Sequence, residues 1–429
     1  NYDIGHVFGT NSGGLAGLGV VCSNNSKARG VTGSGAPVGD PFDIDYVAHE
    51  MGHQFACNHT FNNSCGGNRN NATAVEPGSG STIMAYAGIC APNVQNNSDD
   101  HFSGISLEEM GSFILNSGGS CAVYTPLSNN APEISSTAGN IIVPASTPFA
   151  LTAVASDQDA NDVLTYNWEQ MDNGISTQSP VTTSTTGPNF RSNPSSTSPT
   201  RYFPNLADLN AGGPFTWEVL SSVDRTMNFR VTVRDNASGG ACNDHEDITV
   251  TTDEDSGPFI VDYPSTNGIT WTGLTNETVA WTVAGTNVAP VACEEVDILL
   301  STDGGLTFPT VLASNVPNNG TQSITVPNLT TTDAAVMVMC SNGTFFDISD
   351  NTFEISGATF DYTLTCATPT VSICQPDNAE YTIEIGSVGG YTDNVTIAAT
   401  SIPTGATGTF SSNSVTPAGS TVFTVSNTA

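Results

Sequence analysis

The sequence predicts a multidomain protein in which a mixed α+β unit is followed by all-β sandwich modules. The chain has 429 residues, enough for about three domains at roughly 150 residues each. Helical periodicity is clearest in residues 1–125, which also hold five of the six histidines. Beyond them, short β-branched runs alternate with Gly, Asn, Asp, Ser and Pro turns, a pattern typical of β-sandwiches.

The domain boundaries follow from breaks in composition. Residues 126–132 (PLSNNAP) and 253–258 (DEDSGP) have the composition of linkers, and a third break falls near residues 356–357. We therefore predict one α+β unit and three β-sandwich modules, with the spans 1–125, 130–255, 257–356 and 358–429.

The charge balance excludes several kinds of partner. The chain has 41 acidic and 8 basic residues, a net charge of −33, and Lys27 is its only lysine. Such a surface repels phosphate backbones and anionic lipids, which excludes nucleic acid as a partner. Membrane insertion is also excluded, because no apolar run approaches the roughly 18–20 residues of a span. The first residue is Asn and no signal-peptide pattern follows, so we expect a processed or excised chain.

The cysteines indicate an oxidising compartment. There are 10 cysteines, none in a CxxC pair, in a chain almost without lysine. We predict a secreted or cell-surface protein with disulfides, the alternative being buried free thiols.

Two segments of the first unit have helical spacing. In DIDYVAHEMGHQFA (residues 43–56) the apolar residues recur on one face, with Asp43 or Asp45 as the N-cap. A second helix is predicted over residues 106–115 (SLEEMGSFIL), with glycines just beyond its end.

The first of these helices has the pattern of a metal site. His49 and His53 are four residues apart and so share one helical face, where both imidazoles can reach one ion. Glu50 follows His49 directly and so lies just beside that helical face. There it can hold the metal-bound water without itself binding the metal. His59 can complete the set only if the helix ends and the chain turns back.

That return needs a left-handed residue. A glycine often makes such a turn, but Ala56 is at this position, and we expect Asn58 to supply the left-handed conformation instead.

Three neutral histidines and one water form the open tetrahedral site of a catalytic zinc. The predicted chemistry is attack of a zinc-activated water on a scissile carbonyl, with Glu50 as the general base that passes the proton to the leaving amine.

Two motifs together resemble the metzincin zinc metallopeptidases. HEMGHQFACNH (residues 49–59) is similar to their long histidine motif, and TIMAY (residues 82–86) is similar to their methionine turn. The resemblance implies that Met84 forms the floor of the zinc site. It also implies that Tyr86 contacts the oxyanion or the metal, as in astacins and serralysins.

Within the metzincins, the reprolysins are the most similar subgroup. Residues 3–22 resemble their edge strand and the segment after it, and residues 101–106 with 113–114 resemble their last helix. The resemblance implies a Cys22–Cys121 disulfide.

Two features depart from the reprolysins. Thr60-Phe61 with Tyr86 look more like pappalysins, which favours a bacterial, Bacteroidetes-type branch. A reprolysin domain has sheet and helix before the edge strand, so we expect this part to be missing or supplied by a separate N-terminal fragment.

The leading hypothesis is a secreted zinc-dependent endopeptidase that acts on protein or peptide substrates. We expect Leu15 to Val21 to pair with an extended substrate strand. The alternative is an extracellular binding or surface-structural protein that carries an inactive protease remnant, since roughly 300 residues contain no catalytic motif.

The other cysteines pair most simply with near neighbours. Cys65–Cys90 would pin the Gly-rich loop after His59. Cys57 is either a buried thiol or a partner of Cys242. The remaining predicted pairs, each within one β module, are Cys293–Cys340 and Cys366–Cys374.

Two further motifs occur in the β region. The turn DQDAND places Asp157, Asp159 and Asp162 where they either bind Ca²⁺ or form an acidic loop without an ion. Residues 149–170 resemble PKD-like and other Ig-like modules. Residues 301–308 (STDGGLTF) are similar to the Asp-box, a structural hairpin turn.

Overall fold

The computed structural model describes residues 2–11, 13–374 and 376–427. Positions 1, 12, 375, 428 and 429, which fall in the predicted spans 1–125 and 358–429, lie outside the described residues. The described chain is mostly β, and its longer helical segments lie within residues 40–118, so the predicted fold class is confirmed. Two compact units are present: Asn1–Ile269 with Glu277–Ile324 and Thr332–Glu354, and Thr270–Asn276 with Thr325–Thr331 and Ile355–Ala429. The division into four domains stays a prediction.

A small three-stranded sheet opens the first unit. Its strands are β1 (Val7–Gly9), β2 (Gly13–Ala16) and β3 (Gly30–Gly33). The order is β1-β3-β2, with β1 parallel and β2 antiparallel to β3. The strand β2 therefore lies at an edge. After it the chain turns, and Gly19 and Val20 donate backbone hydrogen bonds to the carbonyls of His53 and Gln54.

The first helix, named here the histidine helix, runs over residues 40–54. It consists of Asp40–Phe42, a π-helical stretch Asp43–Ala48 and the α-helical His49–Gln54. The prediction that Asp43 or Asp45 is the N-cap is wrong, because the chain is already helical at Asp40. Gly39 is the N-cap residue and Pro41 lies in the first turn, a position that suits its fixed φ.

The histidine helix ends in a Schellman motif. The Cys57 amide donates to the carbonyl of Gly52 and the Ala56 amide donates to that of His53, at 2.9 Å each. This motif requires a left-handed residue, and Ala56 supplies it with φ 76°. The expectation that Asn58 would do so is wrong. A non-glycine residue in this conformation costs about 1–2 kcal/mol.

The second helix, the closing helix, is Gly104–Phe113, continued by a π-helical turn Ile114–Gly118. Its first amide, on Gly104, donates a 2.7 Å hydrogen bond to the Glu169 carboxylate. Glu169 is buried and also accepts from the Ser192 hydroxyl at 2.6 Å. A carboxylate from the following β region thus contacts the helix N-terminus, where the helix dipole favours negative charge.

The next β region, residues 133–253, contains two sheets. The sheet orders are β4-β6-β8 and β5-β10-β9-β7, antiparallel except for the β5–β10 pair. Four phenylalanines (Phe149, Phe190, Phe203 and Phe229) pack in its core with ring centroids 4.8–6.0 Å apart. The elements are β4 (Glu133–Thr137), β5 (Ile141–Pro144), β6 (Phe149–Ser156), β7 (Thr165–Gln170), β8 (Thr200–Phe203), a short helix Leu206–Asn210, β9 (Arg225–Arg234) and β10 (Asn243–Asp253).

The rest of the chain is built from strands. These are β11 (Ile260–Tyr263), β12 (Thr270–Thr272), β13 (Asn276–Thr282), β14 (Glu295–Ser301), β15 (Thr310–Pro317), β16 (Thr321–Thr325), β17 (Thr331–Cys340), β18 (Phe346–Ile348) and β19 (Phe353–Ser356). The second unit adds β20 (Asp361–Cys366), β21 (Ala379–Val388), β22 (Val395–Thr396), β23 (Ala406–Phe410), β24 (Ser414–Val415) and β25 (Gly419–Asn427). Its sheet orders are β20-β21-β25-β23 and β22-β24.

The Asp-box-like segment forms a tight turn after β14. The Asp303 carboxylate accepts hydrogen bonds from the Ser301 hydroxyl and from the Thr307 amide and hydroxyl, at 2.6–2.9 Å. These hydrogen bonds, of which the one from Ser301 has the largest effect, lower the pKa of Asp303 to about 2. The aspartate thus closes the turn, which is a structural role.

Polar contacts join the first 125 residues to the β region that follows. Arg230 on β9 contacts Glu108 of the closing helix at 2.7 Å and Asp247 at 2.7 Å. The guanidinium of Arg69 donates to the carbonyl of Asn173 at 2.6 Å. The β region therefore supports both the closing helix and the loop after His59.

Within the described residues there are three disulfides: Cys22–Cys121, Cys65–Cys90 and Cys293–Cys340. The predicted Cys366–Cys374 pair is not formed. Cys366 ends β20, where its sulfur lies 3.5 Å from the Thr368 carbonyl oxygen, and Cys374 is exposed. Cys57 is a buried thiol and is not joined to Cys242. In the described part of the chain, no helix has the length and apolar character needed to cross a membrane.

Candidate metal centre

Three histidine side chains converge at the C-terminal half of the histidine helix. One ring nitrogen from each of His49, His53 and His59 lies within 4.8 Å of the others. The Nε2 atoms of His53 and His59 are 3.1 Å apart. The helix supplies the first two rings, and the Schellman turn brings the chain back to supply the third. The structure therefore brings together the three histidines that the sequence motif singled out.

Hydrogen bonds fix which nitrogen of each ring faces the common point. The Nδ1 atoms of His49, His53 and His59 lie 2.7–2.8 Å from the carbonyl oxygens of Ile83, Cys57 and Asn68. A carbonyl only accepts, so each Nδ1 carries the proton and each Nε2 presents a lone pair. Such bonds orient the ligands of metal sites and raise their basicity. The donor set fits a zinc ion bound by three imidazoles with one position open.

Burial keeps these rings neutral. Desolvation lowers the pKa of His49 to about 3 and that of His59 to about 4. The pKa of His53 is also lowered, again mainly by burial. All three rings are therefore unprotonated near pH 7, the state in which imidazole can bind a metal.

Glu50 lies beside the histidines with one oxygen unpaired. Its side chain is buried, and Oε2 has no hydrogen-bond partner among the described residues. Burial raises the pKa of Glu50 to about 7. The strand β2 passes directly over it, since a Cβ placed on Gly14 would lie 2.1 Å from Oε1. An orphaned buried carboxylate oxygen at this position is suited to a water or substrate group held between Glu50 and a metal.

A tight turn around Met84 lies beneath the rings. The Met84 side chain is fully buried and its sulfur packs against the histidine helix, 2.5 Å from where a Cβ on Gly52 would lie. The preceding residue, Ile83, provides the carbonyl that accepts from His49. The turn thus limits the helix to glycine at position 52 and orients the first histidine.

A buried carboxylate holds this turn, and sequence reasoning missed it. Glu76 is 2% exposed and its Oε2 accepts from the amides of Ser81 and Thr82 at 2.7 and 3.1 Å. Its Oε1 accepts from the Thr82 hydroxyl. The Glu76 amide donates to the carbonyl of Thr60, next to His59. A lone acidic residue in a Gly/Ser-rich loop just before the methionine turn was the available signal.

The loop after His59 is held from several sides. Arg69 donates to the carbonyls of Asn62 and Asn173 at 3.1 and 2.6 Å, and the next residue back, Asn68, accepts from His59. The Cys65–Cys90 disulfide closes the same loop. Both a covalent bond and the following β region therefore support the partner of the third histidine.

Tyr86 lies on the open side of the site. Its ring centroid is 4.6 Å from that of His59 and 5.7 Å from that of His49. Burial, and secondarily the charge of Glu50, raise the pKa of Tyr86, so its hydroxyl is protonated and can donate near pH 7.

A cavity of about 450 Å³ opens onto the site. Its lining includes Gly14 of β2, Asp45 and Tyr46 of the histidine helix, and the site residues Glu50 and Tyr86. The edge strand β2 covers only the start of the segment predicted to pair with substrate, since Val20 and Val21 lie in the turn beyond it and are buried.

The acidic turn after β6 brings its three aspartates together. The carboxylates of Asp157, Asp159 and Asp162 approach within 4.8 Å of one another. Asp159 accepts from the Asn130 amide at 2.6 Å, and its own amide donates to Asp157 at 2.8 Å. Calcium binding at this turn stays a prediction.

Comparison with protein families gives the class of the N-terminal region. A family model described as metallopeptidase family M12B, reprolysin-like, matches residues 1–116, about a quarter of the chain. The reprolysin resemblance of these residues is thus confirmed at the level of the family model, which together with the histidine triad supports a peptidase with a metal site. No curated protein matches the sequence.

Solved structures similar to the chain include fibronectin(III)-like modules, a surface layer protein and an adhesin. Fibronectin(III)-like modules of Clostridium thermocellum CbhA are 11% identical, with 52% of this chain and 92% of that chain covered and a TM-score of 0.18. The surface layer protein SbsC, domains 1–6, is 11% identical, with 78% and 55% covered and a TM-score of 0.22. The Escherichia coli adhesin FdeC is 13% identical, with 72% and 92% covered and a TM-score of 0.17. At these TM-scores the likeness carries no further conclusion.

Proposed function

We propose that this protein is a secreted, zinc-dependent endopeptidase. The observation that carries the proposal is the convergence of three Nε2 lone pairs, each fixed by an Nδ1 hydrogen bond to a backbone carbonyl, next to the unpaired Oε2 of Glu50. His49, His53 and His59 would hold the metal. A structural zinc site would be closed by a fourth protein ligand, whereas here a cavity lined by His49, Glu50 and Tyr86 adjoins the triad.

The roles of the chain's own residues follow from their positions. A zinc ion bound by the triad supplies Lewis acidity for the attack of water on a peptide carbonyl. Glu50 accepts the proton of that water and delivers it to the leaving amine. The Tyr86 hydroxyl donates a hydrogen bond to the carbonyl oxygen of the substrate as negative charge develops on that oxygen. Met84 packs against the histidine helix at Gly52 and would fix the position of that helix in the metal centre.

The substrate would lie along β2. This edge strand passes over Glu50, and its free side can pair with an extended peptide. Leu15 on this strand is 74% exposed, as expected of a residue that a substrate covers. An extracellular location belongs to the same proposal and is supported by the disulfides. A bacterial, Bacteroidetes-type origin stays a prediction from the sequence.

The test compares three forms of the full chain: wild type, Glu50→Ala and the control Glu133→Ala, which alters an exposed carboxylate on β4. Zinc content is measured by elemental analysis and cleavage is measured on an unstructured protein. We expect zinc in all three forms, and a loss of activity of about 100-fold or more in Glu50→Ala alone. Equal cleavage by wild type and Glu50→Ala would remove the enzyme assignment. Absence of zinc together with firm binding to a polymer would favour a binding or surface-structural protein.

A further inference from the structure

The cavity beside the metal centre contains a carboxylate that the proposed reaction does not use. Asp45 lies one turn before His49 on the histidine helix, is partly buried and lines the cavity. The Ser98 amide donates to its Oδ1 at 2.6 Å. With the Asn97 amide oriented to donate, the Asn97 nitrogen lies 3.0 Å from Oδ2. These bonds hold the carboxylate in place.

Among the described residues that line the cavity, none gives the charge of Asp45 a positive partner. Both groups bonded to it are neutral, and a neutral donor orients a carboxylate without cancelling its charge. Glu50 contributes a second carboxyl to the same cavity, and none of the described residues that line it is a lysine or an arginine. The lining also includes the polar residues Tyr46, Asn96 and Asn97, together with apolar ones (Pro41, Ala85, Ala87 and Ile89).

We infer that this cavity selects substrates with a lysine or arginine side chain next to the scissile bond, and that Asp45 is the residue that determines this specificity. The inference rests on the proposed endopeptidase function and names its substrate class. A cationic side chain that enters the cavity places its charge near Asp45 in a partly desolvated space, where the attraction is stronger than in water. The net charge of −33 adds a long-range attraction for basic peptides.

The first measurement is cleavage of a mixed peptide pool at pH 8, with the products sequenced by mass spectrometry. We expect Lys or Arg enriched at one of the two positions that flank the cleaved bond. Asp45→Asn keeps the shape and the acceptor for Ser98 but removes the charge. It should lower the Arg-over-Gln preference in kcat/KM about tenfold, mostly through KM, while cleavage of the Gln peptide changes little. Asp43→Asn is the matched control, because Asp43 is exposed on the same helix and does not line the cavity.

The second measurement does not depend on activity. The metal-free full chain is titrated with two peptides that differ only in a central Arg or Gln, at low and at 0.5 M salt. We expect wild type and Asp43→Asn to bind the Arg peptide more tightly than the Gln peptide. This preference for Arg should be smaller in Asp45→Asn, and 0.5 M salt should weaken it. Equal binding of the two peptides by wild type would overturn the inference whether or not the protein cleaves. Cleavage without enrichment of basic residues would overturn it and leave the endopeptidase proposal intact.

Discussion

Replacement of Glu76 by alanine should loosen the turn that orients His49. The substitution leaves the buried amides of Ser81 and Thr82 without their acceptor. A buried donor without a partner costs about 1–3 kcal/mol, so the two amides together cost about 2–6 kcal/mol. The carbonyl of Ile83 follows directly in this turn, so the His49 ring loses its fixed orientation.

The Glu76→Gln variant removes the charge of the side chain but keeps its hydrogen bonds to the turn, so it separates the two contributions. The glutamine oxygen can still accept from the two amides, while its NH₂ group can donate to the Thr82 hydroxyl in place of the present bond. Only the charge-assisted part of the bonds is lost, about 1 kcal/mol. We therefore expect a large effect of alanine and a small one of glutamine.

The assay is amide hydrogen exchange of residues 79–86 in the full chain, with zinc affinity measured in parallel. A loss of 2 kcal/mol corresponds to roughly 30-fold faster exchange of the Ser81 and Thr82 amides in Glu76→Ala. Zinc affinity should fall by about 10–100-fold, as for other residues that orient a ligand. Glu133→Ala, on an exposed strand position, should leave both unchanged. Unchanged exchange and zinc affinity in Glu76→Ala would refute the reasoning.

Two stability predictions follow from single buried or strained positions. Burial raises the pKa of Asp347 to about 7, so between about pH 4 and 7 the folded state keeps a proton that the unfolded state releases, and stability falls as the pH rises through this window. Asp347→Asn should therefore unfold like wild type in urea at pH 4 and be more stable by about 4 kcal/mol at pH 8, since one pKa unit corresponds to about 1.4 kcal/mol; an equal gain at both pH values would contradict this. Ala56→Gly should stabilise the folded chain by about 1 kcal/mol in the same assay, because glycine adopts φ 76° without strain. The control Ala48→Gly lies inside the histidine helix, where glycine is unfavourable, and should destabilise the chain by about 1 kcal/mol. Destabilisation by Ala56→Gly would show that the left-handed turn is not strained.

The sequence allowed the local part of the metal centre to be predicted. The spacing of His49 and His53 depends only on helix geometry, and His59 was inferred from the need for a turn. The residue that makes the turn was wrongly assigned to Asn58, because propensity favours Asn in the left-handed region and Ala56 departs from it. The Schellman hydrogen bonds outweighed that preference.

The groups that orient the rings could not be predicted from the sequence. The carbonyls of Ile83 and Asn68 are backbone atoms, which every residue has, so nothing in the side-chain pattern marks them. Glu76 acts on the turn five and six residues later through backbone amides, and its role depends on its burial. The strands were easier to predict, because the buried residues Ile248, Val250 and Thr252 of β10 alternate with less buried ones, which reflects one buried face.

The contacts of Arg69 and Glu169 have a consequence for how this protein could be divided. A chain cut after residue 125 would deprive Arg69 of the Asn173 carbonyl and the Gly104 amide of the Glu169 carboxylate. The isolated N-terminal region would keep the three histidines of the metal centre but lose two hydrogen bonds, one that supports the loop after His59 and one that supports the closing helix. The first 125 residues should therefore not be moved into another protein on their own. A fusion or truncation should retain the β region that follows, through residue 253.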